Sequence, residues 1–119
     1  MKKNRRKQTE EKVLEVYERV SPSTYPIEDK TVFRRYQLFR ESLFRDRLHF
    51  PLQMFAGAEL LDFGSGTGEL DIFYALWGAR VTGVELNPFS IERCRKLFRH
   101  YKLERALTLH RGSLFNFAS

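Results

Sequence analysis

The sequence predicts an α/β fold, a parallel sheet whose strands alternate with helices, preceded by N-terminal helices. Three observations point there. Before Gly57 the apolar residues recur at helical spacing. After it, short apolar runs alternate with amphipathic stretches, as βαβ units do. The first of those runs ends in a cluster of glycines that opens a helix.

Taken in chain order, the front is basic: Lys2, Lys3, Arg5, Arg6 and Lys7 make five of the first seven residues. Residues 1–57 hold 13 Lys or Arg against 8 Asp or Glu, and residues 58–119 hold 8 against 7, so the net charge of +6 is concentrated in the first half. Such a tail can attract nucleic acid or an anionic membrane surface. A frayed, solvated terminus is the favoured reading. From Thr9 a helix is predicted, with Val13, Val16, Tyr17 and Val20 at steps of three and four and Glu10 and Glu11 at its positive end. Ser21, Pro22 and Pro26 end it. A second helix is predicted from about Glu28 to Arg47, with Val32, Tyr36, Phe39 and Leu43 on one face and Arg34, Arg40, Arg45 and Arg47 elsewhere. Pro51 and Gly57 punctuate the connection that follows.

The sheet-forming part is read as strand 58–63, helix 68–77, strand 80–85, helix 88–102 and strand 107–110. Gly78 suits a helix stop, and Asn87 followed by Pro88 is a helix start, an N-cap oxygen ahead of a preset first residue. Ile91, Cys94, Phe98 and Tyr101 share one face of the last helix, which makes Cys94 a small core residue and not a nucleophile.

A chain of 119 residues, 42% of them hydrophobic, fits one modest core. Its division is read as a basic tail and helical flank or lid over 1–57, and a partial cofactor-binding sheet over 58–119. No apolar stretch approaches the roughly 20 residues of a membrane span, and no signal-peptide pattern is present, so a cytoplasmic protein is expected. Cys94 is the only cysteine, and His49, His100 and His110 lie far apart, so neither a disulfide nor a metal site is read.

The informative segment is Leu60-Leu61-Asp62-Phe63-Gly64-Ser65-Gly66-Thr67-Gly68. The glycines allow a tight turn and close approach of a ligand to the start of a helix, where unpaired N–H groups favour an anionic group. A dinucleotide fingerprint would have G-x-G-x-x-G, but here Glu69 stands at the third glycine position. Glu85 ends the second predicted strand, 21 residues after Gly64, where a carboxylate can accept hydrogen bonds from both hydroxyls of an adenosine ribose.

Asp62 to Gly68, together with Gly83-Val84-Glu85-Leu86-Asn87-Pro88, resemble the first two motifs of class I S-adenosylmethionine-dependent methyltransferases. The resemblance covers roughly residues 58–117 and implies a Rossmann-like sheet, of which three strands can be placed. It implies S-adenosyl-L-methionine as cofactor. The turn of Phe63, Gly64, Ser65, Gly66, Thr67 and Gly68 would hold the methionine part, with Asp62 beside that end or bracing the loop. Glu85 would hold the ribose, with Leu86 and Asn87 beside it and Leu86 near the adenine. Family members commonly carry Gly-Asp after the third strand, whereas this chain has Gly112-Ser113, so Ser113 and Leu114 are carried over on weaker ground.

The implied function is methyl transfer from S-adenosylmethionine to an acceptor the sequence does not name, by residues it does not identify. The alternative is a non-catalytic S-adenosylmethionine-binding or interaction module completed by a partner. An NAD-dependent oxidoreductase is disfavoured by Glu69 and by the run from Glu85 to Pro88. Three strands suggest the front part of a domain, truncated after the third strand. Such a fragment is expected to be inactive alone and able to self-associate through an exposed sheet edge. Tyr25, Tyr36 and Arg40 are the lid candidates.

Overall fold

A computed structural model of the chain describes residues 26–112. The predicted helix from Thr9, the lid candidate Tyr25, and the site candidates Ser113 and Leu114 lie outside the described residues.

The first described helix, α1, spans Lys30–Ser42 and continues as a π-helical turn over Leu43–Arg47. Asp29 caps it, its carboxylate accepting from the N–H groups of Thr31 and Val32 at 2.8 and 3.1 Å. The remaining elements follow as β1 (Glu59–Phe63), α2 (Asp71–Leu76), β2 (Arg80–Glu85), α3 (Pro88–His100) and β3 (Leu107–Arg111). All three strands are parallel, in the order β1-β2-β3, as the alternation of strands and helices predicts. The register sets Asp62 beside Gly83, Phe63 beside Val84, and Glu85 beside Arg111.

The strand boundaries match the sequence reading to within a residue, whereas the helix predicted from Gly68 begins three residues later, at Asp71. Gly68 has φ +86°, so residues 68–70 form a turn before the helix. The start of α3 is as predicted. Pro88 is its first residue, and the Asn87 side chain accepts from the N–H groups of Phe89 and Ser90 at 2.8 and 3.2 Å.

The core lies between the sheet and its helices. Phe33 of α1, Ile72 and Phe73 of α2, Val81 of β2, and Cys94 and Phe98 of α3 belong to one buried cluster. Phe33 stacks on both Phe73 and Tyr101, with ring centroids 5.0 and 4.1 Å apart. The segment leading into α1 is pinned to α3: Glu28 pairs with Arg93, its carbonyl lies 3.0 Å from His100 Nε2, and the Tyr101 hydroxyl donates to the Ile27 carbonyl.

The face of α1 differs from the predicted one. Phe33 is its buried residue, with Val32, Tyr36 and Phe44 packed against the cluster, while Phe39 is 62% exposed. The aromatic partners Phe73 and Tyr101 select the stripe through Phe33, a choice that periodicity alone leaves open. Arg40, placed by the sequence reading on the polar side, is half-buried, with its Nε enclosed. Tyr36 packs against the core, and Arg40 acts on Tyr74 of α2.

Candidate functional site

The glycine turn joins the end of β1 to α2, and its backbone is tied to the neighbouring strand. The N–H of Gly64 donates to the Val84 carbonyl at 2.7 Å, and the Gly68 N–H donates to the Ser65 carbonyl at 3.3 Å. Gly64, Gly66 and Gly68 all have positive φ, at 76°, 60° and 86°. A Cβ on Gly64 or Gly66 would meet no atom within 4 Å, so those two residues border open space, whereas one on Gly68 would stand 2.6 Å from Cys94 Sγ. Gly83 is under equal pressure: a Cβ there would lie 2.8 Å from Ser65 Oγ and 2.9 Å from Leu109 Cδ2. The turn therefore lies directly on β2.

Glu85 closes this unit. Its carboxylate accepts from the Gly66 N–H at Oε1 and from the Asn87 N–H at Oε2, both at 2.8 Å, and the residue is 1% exposed. The two sequence motifs, 19 residues apart at these atoms, thus meet in a hydrogen bond at the C-terminal ends of β1 and β2. Asn87 is buried as the cap of α3, Leu86 between them is half-buried, and Phe63 is 41% exposed. Thr67 is buried and its hydroxyl donates to Glu69.

One acid beneath the turn escaped the sequence reading. Asp71, the first residue of α2, is 0% exposed, and no N–H or O–H donor reaches either of its oxygens among the described residues. Its neighbour is the Asp62 carboxyl. Two carboxyl groups form a hydrogen bond only when one of them is protonated. Burial, reinforced by Asp62, pushes the Asp71 carboxyl up to about 9. Asp62 itself lines a cavity of about 450 Å³ walled by Phe44, Phe55, Leu60, Leu70 and Tyr74. Burial also pushes the Cys94 thiol up to about 12, so it stays a neutral core residue, as its helix face predicts.

The raised Asp71 value fixes a pH dependence. Between the unfolded value of about 3.9 and the folded value near 9, the native state holds a proton that the unfolded chain has released, so stability falls as pH rises through that window and levels off above it. Asp71→Asn is expected to flatten the slope. Denaturant midpoints of both proteins at about pH 5, 7 and 9 check this, and parallel slopes would assign the proton elsewhere.

His49, in a connecting loop, His100 of α3 and His110 of β3 are exposed, and no group of three or more His, Cys, Asp or Glu residues is placed to hold a metal among the described residues. No helix among them is long and apolar enough to cross a membrane.

No protein-family model matches the sequence, and no curated protein matches it. Solved structures do. The C-terminal domain of precorrin-6Y C5,15-methyltransferase from Rhodobacter capsulatus superposes with a TM-score of 0.50 at 26% identity, over 54% of this chain and 35% of that one. The described residues have the class I methyltransferase fold. Protein arginine methyltransferase 10 from Arabidopsis thaliana matches at 30% identity and a TM-score of 0.48, over 60% of this chain and 19% of that one. An RNA methyltransferase from Salinibacter ruber, solved with S-adenosyl-L-homocysteine, matches at 23% identity and a TM-score of 0.47, over 79% of this chain and 51% of that one. The chain spans about half, or less, of the length of each. The match is to an N-terminal half of a methyltransferase domain.

Proposed function

We propose that this chain binds S-adenosylmethionine at the C-terminal ends of β1 and β2, as the cofactor-binding part of a methyltransferase. The observation that carries this reading is the hydrogen bond from the Gly66 N–H to the Glu85 carboxylate, which makes one unit of a glycine turn and a strand-end acid. The residues fit such a ligand. Gly64 and Gly66 border space that a side chain would fill, and the Glu85 carboxylate stands against the turn at the end of β2. Asp62 and the turn from Phe63 to Gly68 hold the methionine part, Glu85 holds the ribose, Leu86 packs near the adenine, and Asn87 fixes the start of α3. Among the described residues, 58–112 form this cofactor-binding part and 26–57 flank it.

When bound, S-adenosylmethionine supplies an electrophilic methyl group, and its transfer depends mainly on placing an acceptor in line with it. The residues described here bind and orient. Since Glu85 is 1% exposed and engaged with the turn, ribose hydroxyls reach it as the Gly66 N–H yields, so turn and acid respond to ligand together.

Calorimetric titration tests the reading: saturable binding of S-adenosylhomocysteine and none of NADH is expected. NADH binding without S-adenosylhomocysteine binding would assign the site to a dinucleotide instead. Transfer of a radioactive methyl group by a longer form of the chain separates an enzyme from a module that only binds.

A further inference from the structure

The buried acid Asp71 has no part in the site as the sequence describes it, yet it touches the one site residue that lines the cavity. The groups facing Asp71 are Asp62 from β1, Tyr74 from its own helix and Cys94 from α3. Arg40 of α1 faces Tyr74. Burial holds Tyr74 and Cys94 neutral; Cys94 is also faced by Glu69, Glu85 and Arg95, and no cation is among the groups that act on Asp71 itself. Two aspartates in contact share a proton, and the more enclosed member keeps it. Asp71 is 0% exposed, while Asp62 is part-exposed and borders the aromatic cavity.

We propose that Asp71 is a positioning residue. Its carboxyl donates to one Asp62 oxygen and so orients Asp62, which receives the ammonium of the methionine end of the cofactor. This rests on the cofactor reading above. It explains why an acid follows the glycine turn at the head of an otherwise apolar helix, where it would be costly as a bare anion. The shared proton orients Asp62 for a charge-assisted bond to an ammonium.

The test uses the whole chain and two probes. S-adenosylhomocysteine carries the amino-acid end, and 5′-methylthioadenosine has the adenosine and sulfur without it. Asp71→Asn, whose amide still donates to Asp62, is expected to hold S-adenosylhomocysteine within about twofold of the unaltered chain, while Asp71→Leu loses about tenfold. Neither substitution should move methylthioadenosine by more than about twofold. In the unliganded protein the side-chain carboxyl carbon of Asp71, followed by NMR, should titrate far above the ordinary carboxylate range. A titration within that range overturns the proposal, as does unchanged S-adenosylhomocysteine binding by Asp71→Leu or an equal loss of both probes. If Asp71→Leu does not fold, the titration and Asp71→Asn decide, and a tenfold loss in the asparagine variant counts against the proposal. An unaltered chain that binds neither probe refutes the cofactor reading and this inference with it. The other contrary outcomes refute the inference alone.

Discussion

Gly68→Val is expected to destabilise the fold more than any other substitution in the glycine turn. At φ +86° a β-branched residue is strained by about 1–3 kcal/mol. Its Cβ would also stand 2.6 Å from Cys94 Sγ and 3.3 Å from Cys94 Cβ, on a helix whose inner face is buried. Overpacking there adds about 1–3 kcal/mol or more, against a total stability of about 5–15 kcal/mol for a typical domain. Gly66→Val separates the two effects. It carries the backbone strain at φ +60° but meets nothing within 4 Å, so its loss of stability should be the smaller and its loss of S-adenosylhomocysteine binding the larger. Denaturant unfolding and ligand titration of the two variants check this. An unchanged unfolding midpoint for Gly68→Val would mean that α3 can move away from the turn at no cost.

The order of strands and helices was legible because each βαβ element leaves a local mark: an apolar run, a glycine or Asn-Pro boundary, and an amphipathic stretch. Asn87 and Pro88 fix the start of α3 by chemistry within two residues, so that boundary is legible in the sequence. Gly68 reads as helical in the sequence because its left-handed backbone is invisible in the letter alone, as is the nearness of Cys94, which leaves no room for a Cβ there. The face of α1 was misassigned for a related reason. Val32 and Tyr36 do pack against the core, but stacking on Phe73 and Tyr101 centres the buried stripe on Phe33 and turns Phe39 outward. Asp71 carried one usable signal, an acid between Leu70 and Ile72 in an apolar run, and its meaning emerges only when β1 brings Asp62 against it. Glu85 was found from its position at a strand end, though its own bonds to the backbone were not.

Those bonds change what its removal does. If Glu85 bonded to ligand alone, Glu85→Ala would weaken cofactor binding by about 1–3 kcal/mol and leave the fold intact. In the structure the carboxylate already holds the N–H groups of Gly66 and Asn87, and the Asn87 bond is fully buried. Glu85→Ala strands both donors, so a loss of about 2–4 kcal/mol in stability is expected before any ligand is added. Glu85→Gln keeps one accepting oxygen and should fall between the alanine variant and the unaltered chain. Denaturant midpoints without ligand measure the first effect, and dissociation constants for S-adenosylhomocysteine, taken where each variant remains folded, measure the second. If Glu85→Ala loses binding at an unchanged midpoint, the acid serves the ligand alone and the bond to Gly66 contributes nothing to the fold. If it loses stability and binds as before, Glu85 braces the glycine turn and the ribose is held by another group. Loss of both is the outcome that the geometry implies, because the acid that would take the ribose is also the anchor of the turn that would take the methionine.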